Sequence, residues 1–179
     1  MQQVIHIHGG DTFLDEISFL AYLQQKSYNP FRGNKWRRDW IKAKLPTPPY
    51  EVGLLDMPSP KQATYVARKI RFEKVFPYLN DEGTILIGES LGGAFLLKYL
   101  TESTFPRPIQ QLHLVATVID KSGFVFDLLK ISTLSDSIEK IFIYHSIDDP
   151  SVPYSHGERL SKFLPTAEFL TFSDRGHFS

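Results

Sequence analysis

The sequence predicts an α/β protein: a doubly wound, about six-stranded parallel sheet flanked by helices, in the strand order 2-1-3-4-5-6. Three observations predict it. Short apolar runs alternate with helix-periodic stretches along the whole chain, the pattern of successive βαβ units. The runs are mostly apolar on both faces, as strands buried inside a parallel sheet are. One run, residues 84–87, leads into Gly88-Glu89-Ser90-Leu91-Gly92, with a helical stretch at 94–100 behind it. That is the strand–turn–helix context in which a G-x-S-x-G pattern carries meaning.

Taken in order, residues 4–8 alternate apolar residues with histidines and stop at Gly9-Gly10. Residues 13–26 carry apolar side chains at 13, 14, 17, 20 and 23, a helical period. Residues 50–55 read as a strand closed by Pro58 and Pro60. Residues 63–79 read as a helix with Val66, Ile70 and the group Phe72, Val75 and Phe76 broadly on one face. The remaining strands are 84–87, 112–118, 141–144 and 167–172, with a helix at 154–164 between the last two. Two stretches interrupt the alternation. Residues 27–49 are proline-rich around a short helical segment near 35–44, and residues 120–137 lie between the fourth and fifth strands. There is no repeat, low-complexity tract or linker, and the 179 residues are expected to form one domain, 1–179.

Composition removes several function classes. Lys+Arg and Asp+Glu are both 20, so charge gives no reason to expect nucleic acid or an anionic membrane surface as a partner. The chain has no cysteine, which excludes disulfides, thiolate zinc sites and a cysteine nucleophile. The N-terminus lacks the basic region of a signal peptide, and no apolar run approaches the ~18 residues of a membrane span. A cytoplasmic protein is the expectation. Residues 32–44 hold six basic side chains and one acidic one; a solvated helix face is the expected reading, with Trp36 and Trp40 packing inward or forming a partner surface.

The chemistry-bearing residues fall at strand ends. A serine nucleophile needs a base, a group to orient that base, and donors for an oxyanion. After Ser90, the next acid at a strand end lies in His145-Ser146-Ile147-Asp148-Asp149-Pro150-Ser151-Val152-Pro153, and the last strand is followed by Ser173-Asp174-Arg175-Gly176-His177-Phe178. The first strand ends in His8-Gly9-Gly10-Asp11, able to present a backbone N–H. All four motifs share the C-terminal edge of the predicted sheet, where ligands of open α/β sheets bind. His6 and His8 lie on one strand face, but no acidic or histidine partner follows at ligand-like spacing, so packing and hydrogen bonding are expected of them rather than metal binding. Phe124, Phe126, Leu128 and Leu129 are either core or a short lid over an acyl pocket.

With these motifs in view, the chain resembles a small α/β-hydrolase of the YdeN / retinoblastoma-binding-protein type. The resemblance rests on His-Gly-Gly at the start, Asp56-Met57-Pro58 after the second strand, Gly-x-Ser-Leu-Gly-Gly, His-Ser-x-Asp-Asp-Pro-x-Val-Pro, and Gly-His-Phe at the end. It implies a minimal α/β-hydrolase fold with Ser90 as nucleophile, Asp149 as orienting acid and His177 as base, and with the N–H groups of Gly10 and Leu91 as oxyanion donors. Asp149 is preferred to Asp148 because it fits the Asp-x-x-Val-Pro frame of the family, which leaves Asp148 to contact backbone amides. The implied activity is cleavage of a small-molecule ester with no cofactor and no metal. The alternative is a scaffold of this fold that binds without catalysis. The chain departs from the family pattern at Glu89, where histidine is usual; its carboxylate either opposes a developing oxyanion or points into solvent.

Overall fold

The computed structural model describes residues 1–25, 41, 43–45 and 47–178. The segment predicted as a short helix near 35–44, with Trp36 and Trp40, lies largely outside the described residues, and both tryptophans lie wholly outside them. Six strands form one parallel sheet: β1 (Gln2–Ile7), β2 (Tyr50–Leu55), β3 (Thr84–Glu89), β4 (Ile109–Val115), β5 (Ile138–Ser146) and β6 (Glu168–Phe172). Their order is β2-β1-β3-β4-β5-β6, as the alternating pattern predicts. The register sets His6 beside Ile87 and Ile7 beside Gly88, so β1 and β3 run out side by side at the C-terminal edge.

Helices α1 (Glu16–Gln25), α2 (Tyr65–Glu73), α3 (Leu91–Glu102), α4 (Leu128–Ile131) and α5 (Ser155–Phe163) connect the strands. Their starts follow from local chemistry. Asp15 accepts the Ser18 N–H at 2.7 Å, Thr64 caps α2 through the Ala67 N–H, and Asp127 caps α4 through the Leu129 N–H. Past α2 the chain tightens into a 3-10 turn, Phe76–Tyr78, at Pro77, which has no N–H to continue an α-helix. The predicted helix over 63–79 is therefore two pieces. Between β4 and β5 the predicted irregular stretch holds only α4 and a second 3-10 turn, Ser132–Asp136.

The core lies on both sides of α3, whose residues Leu91 to Leu97 are all buried. Phe72 packs edge-on against Phe76, Phe95 and Tyr99 at ring-centre distances of 5.0–5.5 Å and stacks on Phe105. The face of α2 differs from the expected one. Val66 and Ile70 are 65% and 55% exposed, whereas Arg68 and Phe72, four apart, are fully buried. Phe72 joins the aromatic cluster, and Arg68, one turn earlier on the same face, goes inside with it. Of the helix predicted over 13–26, the apolar positions Leu14, which precedes α1, and Ile17 and Leu20, within it, are likewise exposed. Phe13 instead packs on Phe19 and Tyr22. Phe124 and Phe126 are core, and Leu129 is exposed. None of the four aromatic or leucine residues of that segment lines the cavity described below, so the core reading holds for the two phenylalanines and the lid reading is dropped.

On one side of β4 and β5, His113 stacks on Phe142 with ring centres 4.8 Å apart. Its Nε2–H donates to Gln111 and its Nδ1 accepts from the Tyr144 hydroxyl. Burial pushes this imidazole down to about 4. The unfolded value is higher, near 6.5, so the neutral ring stabilises the fold fully above pH ~6.5 and this contribution is lost as pH falls toward ~4. Thermal midpoints measured from pH 7 to pH 4 are expected to fall, and His113→Gln is expected to flatten that slope. An unchanged slope in the variant would contradict the assignment.

Candidate functional site

The turn after β3 places Ser90 at φ 52°, ψ −116°, a conformation that a non-glycine residue adopts only under constraint. The constraint is visible. The Ser90 N–H donates to the Val115 carbonyl at 2.8 Å, and its carbonyl begins α3 by accepting from Gly93 and Ala94. Gly92 sits directly on β1: a Cβ there would stand 2.1 Å from the Ile7 carbonyl oxygen. A side chain at Gly9 would stand 3.1 Å from the Ser90 Cβ, so the loop after β1 lies against the serine. The Leu91 N–H, first in its helix, has no intrahelical carbonyl to bond.

The loop after β5 supplies the acid. Asp149 Oδ1 accepts the N–H groups of Ser151 and Val152 at 2.8 and 2.9 Å, and its side chain is fully buried. Its other oxygen, Oδ2, accepts from His177 Nδ1 at 2.8 Å. Of the two adjacent aspartates, Asp149 is therefore the one in contact with the histidine. Asp148 has a separate task. Its Oδ1 accepts from the Ser146 hydroxyl at 2.5 Å and from the Gly176 N–H at 2.9 Å, while Ser146 Oγ accepts the Arg175 N–H. The Ser146 hydroxyl, helped by the Gly176 N–H, holds Asp148 below the usual carboxylate range. These bonds lock the turn after β6 to the loop after β5, and Phe178 packs edge-on against Phe172. His177 is thus held on both sides.

Ser90, His177, Gly9, Gly10, Val118 and Val152 line one cavity of about 700 Å³ at the C-terminal edge of the sheet. Among the described residues the Ser90 hydroxyl makes no hydrogen bond to His177. With Nδ1 committed to Asp149, the Nε2 of His177 is the ring atom left to face a serine proton. The predicted serine, histidine and glycine loop thus line one cavity, and the predicted acid, Asp149, is buried against the histidine rather than lining it.

The neighbours of these residues include some the sequence did not announce. Glu89 does not point into solvent: it is buried, and its Oε2 lies 3.6 Å from His6 Nε2. Parallel pairing causes this, because β1 and β3 set both side chains on the same face near the edge. His8 Nδ1 donates to the Gly9 carbonyl at 2.6 Å and its Nε2 accepts the Met57 N–H at 3.1 Å, so both ring nitrogens are used. Burial, with the Arg68 charge adding to it, holds His8 below the ordinary imidazole value. His145 is fully buried behind the acid, its Nε2–H donating to the Val152 carbonyl at 3.0 Å. It stands in the His-Ser-x-Asp-Asp-Pro motif, which is the signal that marks it. Arg68 has no motif around it at all.

No family model matches the chain, and no curated protein does. Solved structures do match. The product of the ydeN gene of B. subtilis superposes with a TM-score of 0.74 at 22% identity, covering 99% of this chain and 88% of that one. A meta-cleavage product hydrolase of Pseudomonas fluorescens gives 0.66 at 14% identity, covering 99% and 84%. An esterase of Exiguobacterium antarcticum gives 0.61 at 13%, covering 99% and 85%. Sheet order, serine turn and these superpositions together show that this chain has the α/β-hydrolase fold.

Proposed function

We propose that the chain is a serine hydrolase that cleaves a small ester through an acyl-enzyme. The observation that carries this reading is the 2.8 Å contact of His177 Nδ1 with buried Asp149, in the cavity that Ser90 also lines. In this reaction the Ser90 hydroxyl attacks the ester carbonyl while His177 Nε2 takes its proton. Asp149 keeps the ring in the Nδ1–H tautomer and stabilises the imidazolium. The carbonyl oxygen becomes negative and is met by the N–H groups of Leu91 and Gly10. The alcohol leaves with the proton from His177, and water, deprotonated by the same nitrogen, releases the acid and frees the serine. Two of the structural neighbours, the Exiguobacterium esterase and the Pseudomonas hydrolase, agree with this class of reaction.

One observation favours a second reading, a binding protein on the same scaffold: among the described residues Ser90 is not hydrogen-bonded to His177. Catalytic contacts of this kind often tighten only around substrate, so the hydrolase reading is preferred. A fluorophosphonate probe separates the two. Labelling mapped to Ser90 is the result expected of an activated nucleophile. No labelling of the folded chain would leave the binding protein.

A further inference from the structure

Arg68 packs its guanidinium 5.7 Å from the centre of the Phe124 ring, a contact that an apolar side chain could also make. It is fully buried, and among the described residues no carboxylate lies within ion-pairing distance. Its Nε has no hydrogen-bond partner among them either. Burial alone lowers the guanidinium to about 10. A charge taken out of water without a counter-ion is costly, and an apolar side chain of similar volume would fill the space at less cost. The guanidinium must therefore do something that an apolar chain cannot.

Its contacts show what that is. Nη1 donates to the His8 carbonyl at 3.1 Å and Nη2 to the Gly9 carbonyl at 2.9 Å, two consecutive carbonyls of the loop after β1. The planar fork of arginine suits such a pair, whereas a lysine ammonium on a single stem does not. In a trans peptide the N–H points opposite to the C=O. With the Gly9 carbonyl turned inward to Arg68, the Gly10 N–H of the same peptide is turned away from Arg68, and both glycines line the cavity. The next residue is held as well: the Asp11 N–H donates to the Pro60 carbonyl, and the Asp11 carbonyl accepts from Ala63. The third position of the turn must be glycine for the same reason, since a Cβ on Gly10 would stand 2.6 Å from Arg68 Nη2 and 2.7 Å from the Pro60 oxygen.

We propose that Arg68 is a positioning residue of the oxyanion loop, which aims the Gly10 N–H into the cavity by binding the His8 and Gly9 carbonyls from behind. The proposal rests on the hydrolase reading above for the use made of that N–H, but not for the geometry. Because the guanidinium has no counter-ion among the described residues, it also places positive charge behind the donor where negative charge would develop. Arg68 touches neither substrate nor Ser90. Its effect passes through the backbone it holds.

The test compares the whole chain with Arg68→Met and Arg68→Lys. Three quantities are measured: kcat and KM on a short-chain aryl ester, the thermal midpoint, and the ¹⁵N–¹H resonance of the Gly10 amide. For Arg68→Met, kcat is expected to fall about 10- to 100-fold, part of the loss of one oxyanion donor, with KM within about twofold. Its midpoint is expected to change little, the relief of a desolvated charge being offset by two carbonyls left without that donor, and the Gly10 resonance is expected to move. Arg68→Lys is expected to give an intermediate kcat. A purely structural arginine would do the reverse, lowering the midpoint and leaving kcat per folded molecule intact, and that result overturns the proposal. Should Arg68→Met not fold, wild-type kcat in Arg68→Lys overturns it and a reduced kcat supports it. Should the wild-type chain hydrolyse no ester, the hydrolase reading fails separately. The Gly10 resonance then decides alone: a shift in folded Arg68→Met supports the positioning geometry, and an unmoved resonance overturns it.

Discussion

Ser90→Ala is expected to abolish ester hydrolysis, lowering kcat by roughly 10⁴-fold or more, while leaving the fold intact. The size follows from the role: without the hydroxyl there is no acyl-enzyme, and His177 and Asp149 have no proton to move, so the group loses its function as a unit. Intact stability follows from the surroundings. Among the described residues the hydroxyl has no hydrogen-bond partner, and alanine keeps the Cβ that the strained turn already tolerates at φ 52°. The thermal midpoint should therefore shift by no more than about 2 °C, consistent with well under 1 kcal/mol in a chain of this length. Steady-state rates on a short-chain aryl ester, with circular dichroism melts of both proteins, check the pair of expectations. Retained turnover in the variant would rule out Ser90 as the nucleophile.

Gly92→Ala should act in the opposite way, through the fold. The added Cβ would stand 2.1 Å from the Ile7 carbonyl oxygen and 3.0 Å from that of His8. Both are backbone atoms at the end of β1, a strand held between β2 and β3. Neither can step aside as a side chain could, and α3 is buried along its first two turns. Helix and strand must separate, at a cost of roughly 3 kcal/mol or more, at the upper end for overpacking a core. The midpoint is then expected to fall by roughly 6–12 °C, and activity with it, because the same shift moves Ser90 relative to the loop after β1. A thermal melt is sufficient to check this. An unmoved midpoint would mean that the helix does not depend on close approach at this position.

The two substitutions mark how differently the parts of this protein can be read from its residues. The serine turn was legible because its glycines are demanded by close packing around the turn itself, and strand–turn–helix periodicity surrounds them. The Asp149 frame and Gly176-His177 were legible for a related reason: the Asp-Asp-Pro-x-Val-Pro run folds onto its own amides, and the turn after β6 follows directly from the strand before it. Element type was readable throughout, but the buried face of α2 was not. Val66 and Ile70 are the hydrophobic residues, yet they are exposed, and Arg68 is inside. Hydropathy counts a guanidinium as a surface marker, and only the two carbonyls of the β1 loop, some sixty residues earlier, give it a reason to be buried.

By itself, then, the sequence determined the six-stranded parallel sheet, the strained serine and the candidates at its strand ends, because each depends on periodicity or on contacts local in the chain. Tertiary structure alone decided that Glu89 turns inward to His6 and that Arg68 lies beneath the glycine loop. Those outcomes depend on strand register and on groups distant in sequence arriving within about 3–4 Å of one another. Residue types narrow such encounters but do not specify them; the parallel sheet, by stacking its strand ends along one edge, does.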